Sequence, residues 1–201
     1  MNSFRTWANE YRQMEKKVCI TGNPATGLAK ELALIYPNAM FVSRSTGYDL
    51  TTARDQERCA ELCLEYDVFI NNSALWKFNQ TVLLDTVYKK CAAVDHRLHI
   101  VCVGSTTDRV KNGKVWLYNA DKKALRDYCN TLALSGVWGV GPKISYISMG
   151  TLSNNQHKHP DRKCLDIAEA ANYIEWLTNQ PKYVKINEIS IDPMQDRQWN
   201  E

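Results

Sequence analysis

The sequence predicts a doubly wound α/β fold, in which helices cover both faces of a mostly parallel β-sheet. Short apolar runs rich in β-branched residues, such as "KVCIT" and "HIVCVGS", alternate with longer stretches of helical periodicity. Strands interleaved with helices in this way form βαβ units with right-handed crossovers. At 201 residues, 44% of them hydrophobic and 23% charged, the chain has the length and composition of one globular domain.

The charge and hydropathy of the chain exclude several classes of partner. The formal charge is only +3, without a dense block of Lys and Arg, so we expect no binding to nucleic acid or to a membrane surface. No run is long and apolar enough to cross a membrane, and the polar N-terminus "MNSFRTWANEYRQMEKK" does not resemble a signal peptide. We therefore expect a cytoplasmic protein.

The cysteines and histidines give little support to a metal site. The seven cysteines are an odd number and lie mostly in apolar runs, which predicts reduced thiols in the core. Cys59 and Cys63 are four apart on a predicted helix, but no second close pair completes a set of ligands. His157 and His159 belong to a polar stretch that we interpret as a surface loop. We predict no bound metal.

The first residues precede the first predicted strand. Phe4, Trp7, Tyr11 and Met14 recur at spacings of three and four, which predicts an amphipathic helix packed on the body of the protein or on a neighbouring subunit. We expect residues 1–16 to form this helical extension and residues 17–201 to form a single domain.

The stretch "VCITGNPATGLAKELA" predicts a strand, a glycine-containing turn and a helix. In such a unit the backbone N–H groups at the helix N-terminus face a pyrophosphate, and small residues allow its close approach. The spacing of Gly22, Gly27 and Ala29 departs from the usual dinucleotide fingerprint, so a merely structural turn is the alternative. The residues expected to bind a dinucleotide in this turn are Gly22, Asn23, Thr26, Gly27 and Leu28.

The second predicted strand ends in "FVSRSTGYDL". Ser43 and Arg44 stand there at the position that contacts the adenosine ribose of a bound dinucleotide. A carboxylate there would bind a ribose 2′-hydroxyl, whereas an arginine presents donors that match the oxygens of a 2′-phosphate. The sequence therefore predicts NADP(H) rather than NAD(H). A solvated surface arginine is the alternative interpretation.

The stretch "YNADK" places Tyr118 and Lys122 four apart in a predicted helix, where both side chains share one face. A nearby ammonium lowers the pKa of a tyrosine and makes it a proton donor that is useful near neutral pH. A surface lysine over a half-buried tyrosine would give the same spacing.

With the glycine turn at one end and this pair at the other, the chain from Lys17 to Gln195 resembles the short-chain dehydrogenase/reductase family, whose fold is Rossmann-like. Thr21, Gly22, Gly27 and Ala29 match the glycine motif of the family. The stretch "NNSA" (71–74) matches its Asn-Asn-Ala-Gly motif. The resemblance implies cofactor contacts at the following further positions: Asp49 and Leu50 beside the adenine, then Asn72, Ser73, Ala74, Tyr118, Lys122, Gly150 and Leu152.

The resemblance also implies four catalytic positions, Asn79, Ser105, Tyr118 and Lys122. Ser105 lies thirteen residues before Tyr118, as the catalytic serine of the family usually does. Tyr118 would exchange a proton with the substrate oxygen and Ser105 would orient that oxygen. Lys122 would lower the tyrosine pKa and hold the nicotinamide ribose, and Asn79 would anchor a water that links Lys122 to solvent.

The chain is shorter than members of the family in three places. The stretch "SRSTGYDLTTARD" leaves no room for a full crossover helix, so we expect the usual third strand to be reduced or absent and the sheet to have about six strands. Only "LWKF" separates "NNSA" from Asn79, and the predicted substrate loop is brief. Met149 also replaces the proline of the loop that meets the carboxamide. We expect an open site that admits a bulky or macromolecule-attached substrate, or one that another subunit completes.

Three aromatic residues near these positions, Trp76, Phe78 and Trp116, either form apolar walls for a substrate or pack in the core or in an interface. The resemblance implies an NADP(H)-dependent oxidoreductase that interconverts a small-molecule carbonyl and an alcohol, in a homodimer or homotetramer. A dinucleotide-binding regulator or scaffold of the same fold that has lost turnover is the alternative.

Overall fold

The computed structural model describes residues 16–109, 116–135 and 141–195. The predicted N-terminal helix with Phe4, Trp7, Tyr11 and Met14 lies outside these residues. Six strands form one sheet: β1 (Val18–Thr21), β2 (Met40–Val42), β3 (Val68–Asn71), β4 (His99–Val103), β5 (Lys143–Met149) and β6 (Glu188–Ile191). Five α-helices follow the first five strands in turn: α1 (Gly27–Ile35), α2 (Ala53–Cys63), α3 (Asn79–Ala93), α4 (Leu117–Ser135) and α5 (Ile167–Thr178).

All neighbouring strands are parallel, in the order β2-β1-β3-β4-β5-β6. The chain runs from β1 outward to β2 and then returns through α2 to β3 on the other side of β1. The direction of winding therefore reverses between β1 and β3. In such sheets a crevice opens at the carboxyl ends of the strands at this point, and ligands bind there. The predicted doubly wound fold is confirmed.

The connection between β2 and β3 confirms the predicted loss of a strand. After β2 the chain makes one short 3-10 turn, Arg44–Thr46, and enters α2 at Ala53. The Thr52 hydroxyl caps α2 by accepting a hydrogen bond from the backbone N–H of Asp55 at 3.3 Å. All of residues 43–67 are described, and none of them forms a strand.

The strands bury both faces, as their short but nearly uninterrupted apolar runs predict. Alternate residues point to opposite faces, so Phe69 packs on one side while Val68 and Ile70 pack on the other. The first face carries α2, α3 and α4, and the second carries α1 and α5. The chemistry-bearing loops are left at the carboxyl edge between these two layers.

The cysteines lie in this core. All seven are buried and free of disulfides. Over the three described ranges, no group of three or more His, Cys, Asp or Glu side chains is arranged to hold a metal ion. None of the helices in those ranges has the length and apolar character needed to cross a membrane.

Candidate active site

The turn after β1 is built for close approach. Gly22 has φ +139°, a conformation that L side chains rarely adopt, and its N–H donates to the carbonyl of Val42 at 3.0 Å. A Cβ at this position would lie 2.8 Å from the Cβ of Ala29 and 3.0 Å from the side-chain nitrogen of Asn72. The match of Gly22 and Ala29 to the glycine motif therefore has a steric reason, since both must be small.

Helix α1 starts directly behind this turn, at Gly27, which also has a positive φ of 57°. Thr26 occupies the N-cap position but its side chain makes no capping hydrogen bond. The first N–H groups of a helix have no partner within the helix, so here they face the crevice as donors for an anion. The Asn23 side chain closes the turn by accepting from the N–H of Ala25 at 2.9 Å.

A cleft of about 590 Å³ opens beside this turn. Its volume falls in the range of small-molecule and cofactor sites. The cleft brings together eight of the residues predicted to bind a dinucleotide: Gly22, Asn23, Ser43, Arg44, Asp49, Leu50, Ser73 and Ala74. The small residues of the turn, the open N-terminus of α1 and this cleft together fit a dinucleotide.

Arg44 lies at the outer end of the cleft and pairs with Asp49. The guanidinium nitrogen is 3.4 Å from the carboxylate oxygen, and three-quarters of the arginine side chain is exposed. Hydrogen bonds from the hydroxyl and N–H of Thr51, more than the charge of Arg44, hold the pKa of Asp49 below its ordinary value. The arginine is thus available to solvent at the predicted position, but two of its N–H donors, on Nε and Nη2, already contact the Asp49 carboxylate.

Thr21 joins the glycine turn to the "NNSA" segment. Its buried hydroxyl accepts the backbone N–H groups of Asn72 at 2.8 Å and of Ser73 at 2.9 Å. The Asn72 side chain donates to the carbonyl of Thr21 at 3.0 Å. Asn72 therefore fastens the two strand ends together, while Ser73 and Ala74 line the cleft.

Ser105 and Tyr118 lie next to each other. Burial is the main cause that raises the pKa of Tyr118 above its ordinary value, and an interaction with the Ser105 side chain opposes it in part. The Lys122 nitrogen lies 5.5 Å from the centre of the tyrosine ring. Lys122 is not among the causes of this shift, so the expected lowering of the tyrosine pKa by Lys122 stays a prediction.

Lys122 is buried, and its ammonium group donates to the side-chain oxygen of Gln80 at 2.6 Å and to the carbonyl of Val103 at 3.3 Å. Burial lowers the pKa of Lys122 to about 8, although the negative charges of Asp121 and Asp108 act in the opposite direction. The lysine is thus held in one place with its charge partly compensated.

The predicted catalytic asparagine has another set of contacts. The Asn79 side chain donates to the carbonyl of Trp76 at 2.7 Å and accepts from the side chain of Gln56 at 3.5 Å. It is the next residue, Gln80, that contacts Lys122. Sequence reasoning missed Gln80, although a polar residue at a position of α3 that the helix buries was the signal that could have found it.

A buried polar cluster behind Ser105 was also missed. The Tyr146 hydroxyl accepts the N–H of Ser105 and donates to the carboxylate of Asp108 at 2.7 Å, and Ser148 donates to the same oxygen at 3.1 Å. Gly104 makes this possible, since a Cβ there would lie 1.9 Å from the Tyr146 oxygen. The cluster fixes the backbone from which the Ser105 hydroxyl projects.

A second and much smaller cavity, of about 10 Å³, lies beside Tyr118 and Lys122. Ala74, Leu75, Trp76, Phe78, Gln80, Thr81 and Asp121 complete its lining. Among the described residues, neither the two carboxylate oxygens of Asp121 nor the Thr81 hydroxyl has a hydrogen-bond partner. This space holds about one water molecule.

The loop after β5 reaches the same edge of the sheet. Gly150 donates its N–H to the carbonyl of Ile191 at 2.8 Å, and a Cβ there would lie 2.7 Å from Pro193. Leu152 forms a parallel bridge with Leu165. The side chain of Asn154 approaches within 3.7 Å of the position of a Cβ on Gly27, so this loop lies against the start of α1.

Comparison with solved structures shows which known proteins share the fold of this chain. Neither protein-family models nor curated protein sequences match the chain. A closed serine dehydrogenase in complex with NADP+ is 15% identical, with a TM-score of 0.70 over 87% of this chain and 93% of that one. A short-chain dehydrogenase/reductase from Mycobacterium marinum is 14% identical, with a TM-score of 0.68 over 88% of this chain and 93% of that one. A short-chain dehydrogenase from Burkholderia cenocepacia in complex with NADP is 14% identical, with a TM-score of 0.69 over 88% of each chain. The chain has the fold of these dehydrogenases.

Proposed function

We propose that this protein is an NADP(H)-dependent oxidoreductase of the short-chain dehydrogenase/reductase family that interconverts a carbonyl group and an alcohol. The observation that carries the proposal is the neighbouring pair of Ser105 and Tyr118, one helical turn from the buried Lys122 and next to a dinucleotide-sized cleft. When bound, the nicotinamide supplies or accepts the hydride.

The cofactor would be held along the carboxyl edge of the sheet. Gly22 and the N-terminus of α1 would face the pyrophosphate, and Leu50 and Ala74 would line the adenosine half of the cleft. The exposed guanidinium of Arg44 supports NADP(H) over NAD(H), because it would turn from Asp49 to bind a 2′-phosphate. Fold similarity to NADP-bound dehydrogenases supports the same assignment.

Tyr118 is the proposed proton donor to the substrate oxygen in the direction of reduction. The phenol is protonated near neutral pH, and the charge of Lys122 is proposed to offset the burial that makes it a weaker acid. The Ser105 hydroxyl orients the same oxygen. Lys122 keeps a positive charge near the phenolate that forms, and this charge stabilises it. The proposal gives Asn79 no part in a proton relay.

A non-catalytic scaffold fits the geometry less well. A lysine as deeply buried as Lys122 loses the favourable hydration of its charge, and the hydrogen bonds to Gln80 and Val103 offset that loss only in part. A scaffold would gain stability by replacing this lysine with an apolar residue. An enzyme, by contrast, has a use for the charge beside Tyr118.

The proposal is tested by Tyr118→Phe. We expect the purified wild-type protein to oxidise NADPH when a carbonyl substrate is added, as followed by nicotinamide absorbance. The variant should lose at least 100-fold in kcat, the usual range for a general acid, while the fluorescence of bound NADPH is unchanged. Tyr183→Phe, at a tyrosine with 77% of its surface exposed, is the matched control. Equal turnover by wild type and Tyr118→Phe would refute the proposed mechanism.

A further inference from the structure

We propose that Trp76 and Trp116 form an aromatic patch that selects aryl carbonyl compounds, in which a planar aromatic ring carries the reacting C=O group. This inference rests on the proposed function, because it assigns the substrate class of the same site. It starts from two large apolar side chains that stand in solvent beside the proposed proton donor.

Both indoles contact the ring of Tyr118. The ring centres of Trp76 and Tyr118 are 5.6 Å apart at an interplanar angle of 52°, and those of Trp116 and Tyr118 are 5.1 Å apart at 44°. Yet 58% of Trp76 and 54% of Trp116 remain exposed. Phe78 is 38% exposed and extends the patch beside Trp76. Large apolar side chains left exposed together offer a surface on which another molecule can bind.

The backbone holds Trp76 in this position at a conformational cost. Lys77 and Phe78, which follow it, both have positive φ values, 59° and 63°. For residues other than glycine that conformation persists only where surrounding contacts enforce it, and such strain concentrates at functional sites. Asn79 enforces it, because its side chain donates to the Trp76 carbonyl at 2.7 Å. The short segment "LWKF" is thus a turn with a fixed backbone that holds the indole of Trp76 at the surface.

Trp76 also lies between the proposed cofactor cleft and the proposed proton donor, Tyr118. It lines the 590 Å³ cleft together with Ser73 and Ala74, and it lines the small cavity together with Tyr118 and Lys122. A flat ring placed on Trp76 would therefore lie next to both the proposed cofactor cleft and the Tyr118 hydroxyl.

The chemistry of the patch favours an aromatic ring over other substrates. The cavity beside Tyr118 holds only about one water, so it encloses neither an aliphatic chain nor a saturated ring. Binding must come from contact with the exposed indoles, which stack well with a planar π-system. A cationic ligand would meet the like charges of Lys77 and Lys122 beside the same rings.

The experiment compares acetophenone with cyclohexyl methyl ketone, which has the same number of heavy atoms but a saturated ring. The two ketones differ in intrinsic reactivity, so the informative quantity is the change in their ratio of kcat/KM on mutation. We expect Trp76→Ala and Trp116→Ala each to lower kcat/KM for acetophenone by roughly two- to tenfold, the range of an aromatic pair, with less effect on the saturated ketone. Trp176→Ala, at a 49% exposed tryptophan on α5 of the opposite layer, should change neither.

A second readout does not need turnover. The indole N–H signals of Trp76 and Trp116, assigned by their absence in the alanine variants, are followed by NMR while each ketone is added to the protein with NADP+. Acetophenone should shift both signals at lower concentration than cyclohexyl methyl ketone. Equal shifts, together with an unchanged kcat/KM ratio in the variants, would overturn the aromatic patch even in an active enzyme.

The two proposals can fail separately. If acetophenone binds selectively at the two tryptophans but is never reduced, the oxidoreductase proposal fails and the binding site stands. If NADP+ does not bind at all, the same proposal fails. The ketones are then titrated into the protein alone, where the same preference for acetophenone is required.

Discussion

The side-chain oxygen of Gln80 lies 2.6 Å from the ammonium nitrogen of Lys122 and accepts a hydrogen bond from it. The orientation of the Gln80 amide is fixed, because its nitrogen donates to the carbonyls of Asn71 at 2.8 Å and Val103 at 3.1 Å. With both donor sites facing carbonyls, the oxygen can only face the lysine. Gln80 is therefore a positioning residue for Lys122.

Replacing Gln80 should move the pKa of Lys122. In Gln80→Leu the ammonium loses its best partner, so its pKa should fall below the value of about 8 set by burial. The variant should also lose about 1 to 3 kcal/mol of stability, because the Asn71 carbonyl loses its Gln80 donor, whereas the Val103 carbonyl keeps the donor of Lys122. NMR titration of the lysine side chain measures the pKa directly. Asn79→Ala is the matched control at the adjacent residue and should leave the pKa of Lys122 in place. An equal fall in both variants would contradict the assignment to Gln80.

Stability should rise with pH because of Lys122. Its pKa is about 8 in the folded state, against an ordinary lysine value of about 10.4 when unfolded. Between these values the unfolded chain binds the extra proton, so the free energy of unfolding increases with pH, by on the order of 3 kcal/mol in total. The measurement is urea unfolding from pH 7 to 10. Lys122→Met should remove this part of the slope. Identical slopes in the two proteins would show that Lys122 does not carry it.

Thr21→Val should destabilise the fold and weaken dinucleotide binding together. Valine has nearly the shape of threonine but removes the hydroxyl that accepts from the half-buried N–H groups of Asn72 and Ser73, of which Asn72 keeps the Ile70 carbonyl as a second acceptor. We expect a loss of about 1 to 3 kcal/mol in urea unfolding. The control is Thr81→Val, since the Thr81 hydroxyl is buried without a hydrogen-bond partner among the described residues and its removal should be neutral or stabilising. A neutral Thr21→Val would mean that these bonds contribute nothing net.

Tyr146→Phe should lower both stability and turnover. The substitution removes the hydroxyl that accepts the N–H of Ser105 and donates to Asp108, and so it loosens the backbone that presents the Ser105 hydroxyl. Tyr36→Phe is a matched control, since it also loses one hydroxyl hydrogen bond, to Thr178 at 2.8 Å, but in the layer of α1 and α5. Both variants should lose about 1 kcal/mol or more of stability, and only Tyr146→Phe should reduce kcat. A reduced kcat in both would indicate a general loss of order.

Arg44→Ala should weaken NADPH binding by about tenfold and leave NADH binding unchanged, because only the phosphate needs the guanidinium. Asp49→Asn should act in the opposite direction for NADPH, since it frees Arg44 from the 3.4 Å ion pair and removes a negative charge near the phosphate site. Fluorescence titration with both cofactors measures these effects. Equal weakening of NADPH and NADH by Arg44→Ala would place the arginine elsewhere than at a 2′-phosphate.

The sequence was most informative where local spacing decides the structure. The alternation of strands and helices predicted the mostly parallel sheet, and the short connection after the second strand predicted about six strands. It did not identify Gln80 as the residue that contacts Lys122, because one residue along an α-helix turns a side chain by about 100° and the left-handed turn at Phe78 sets where α3 begins. The contact between Tyr146 and Asp108 joins a strand to a distant turn, so no local pattern reveals it. The pKa of Tyr118 depends on burial, which a spacing of four residues does not report.

The loss of the usual third strand makes β2 the outer edge of the sheet. An open edge presents unpaired N–H and C=O groups on which another chain can add a strand, and this is a route to aggregation. Here β2 is only three residues long, and β6 at the far edge has four and runs on towards Pro193, which has no N–H to offer. Both edges are too short to template a new strand, so the shortened sheet keeps its resistance to edge-to-edge polymerisation.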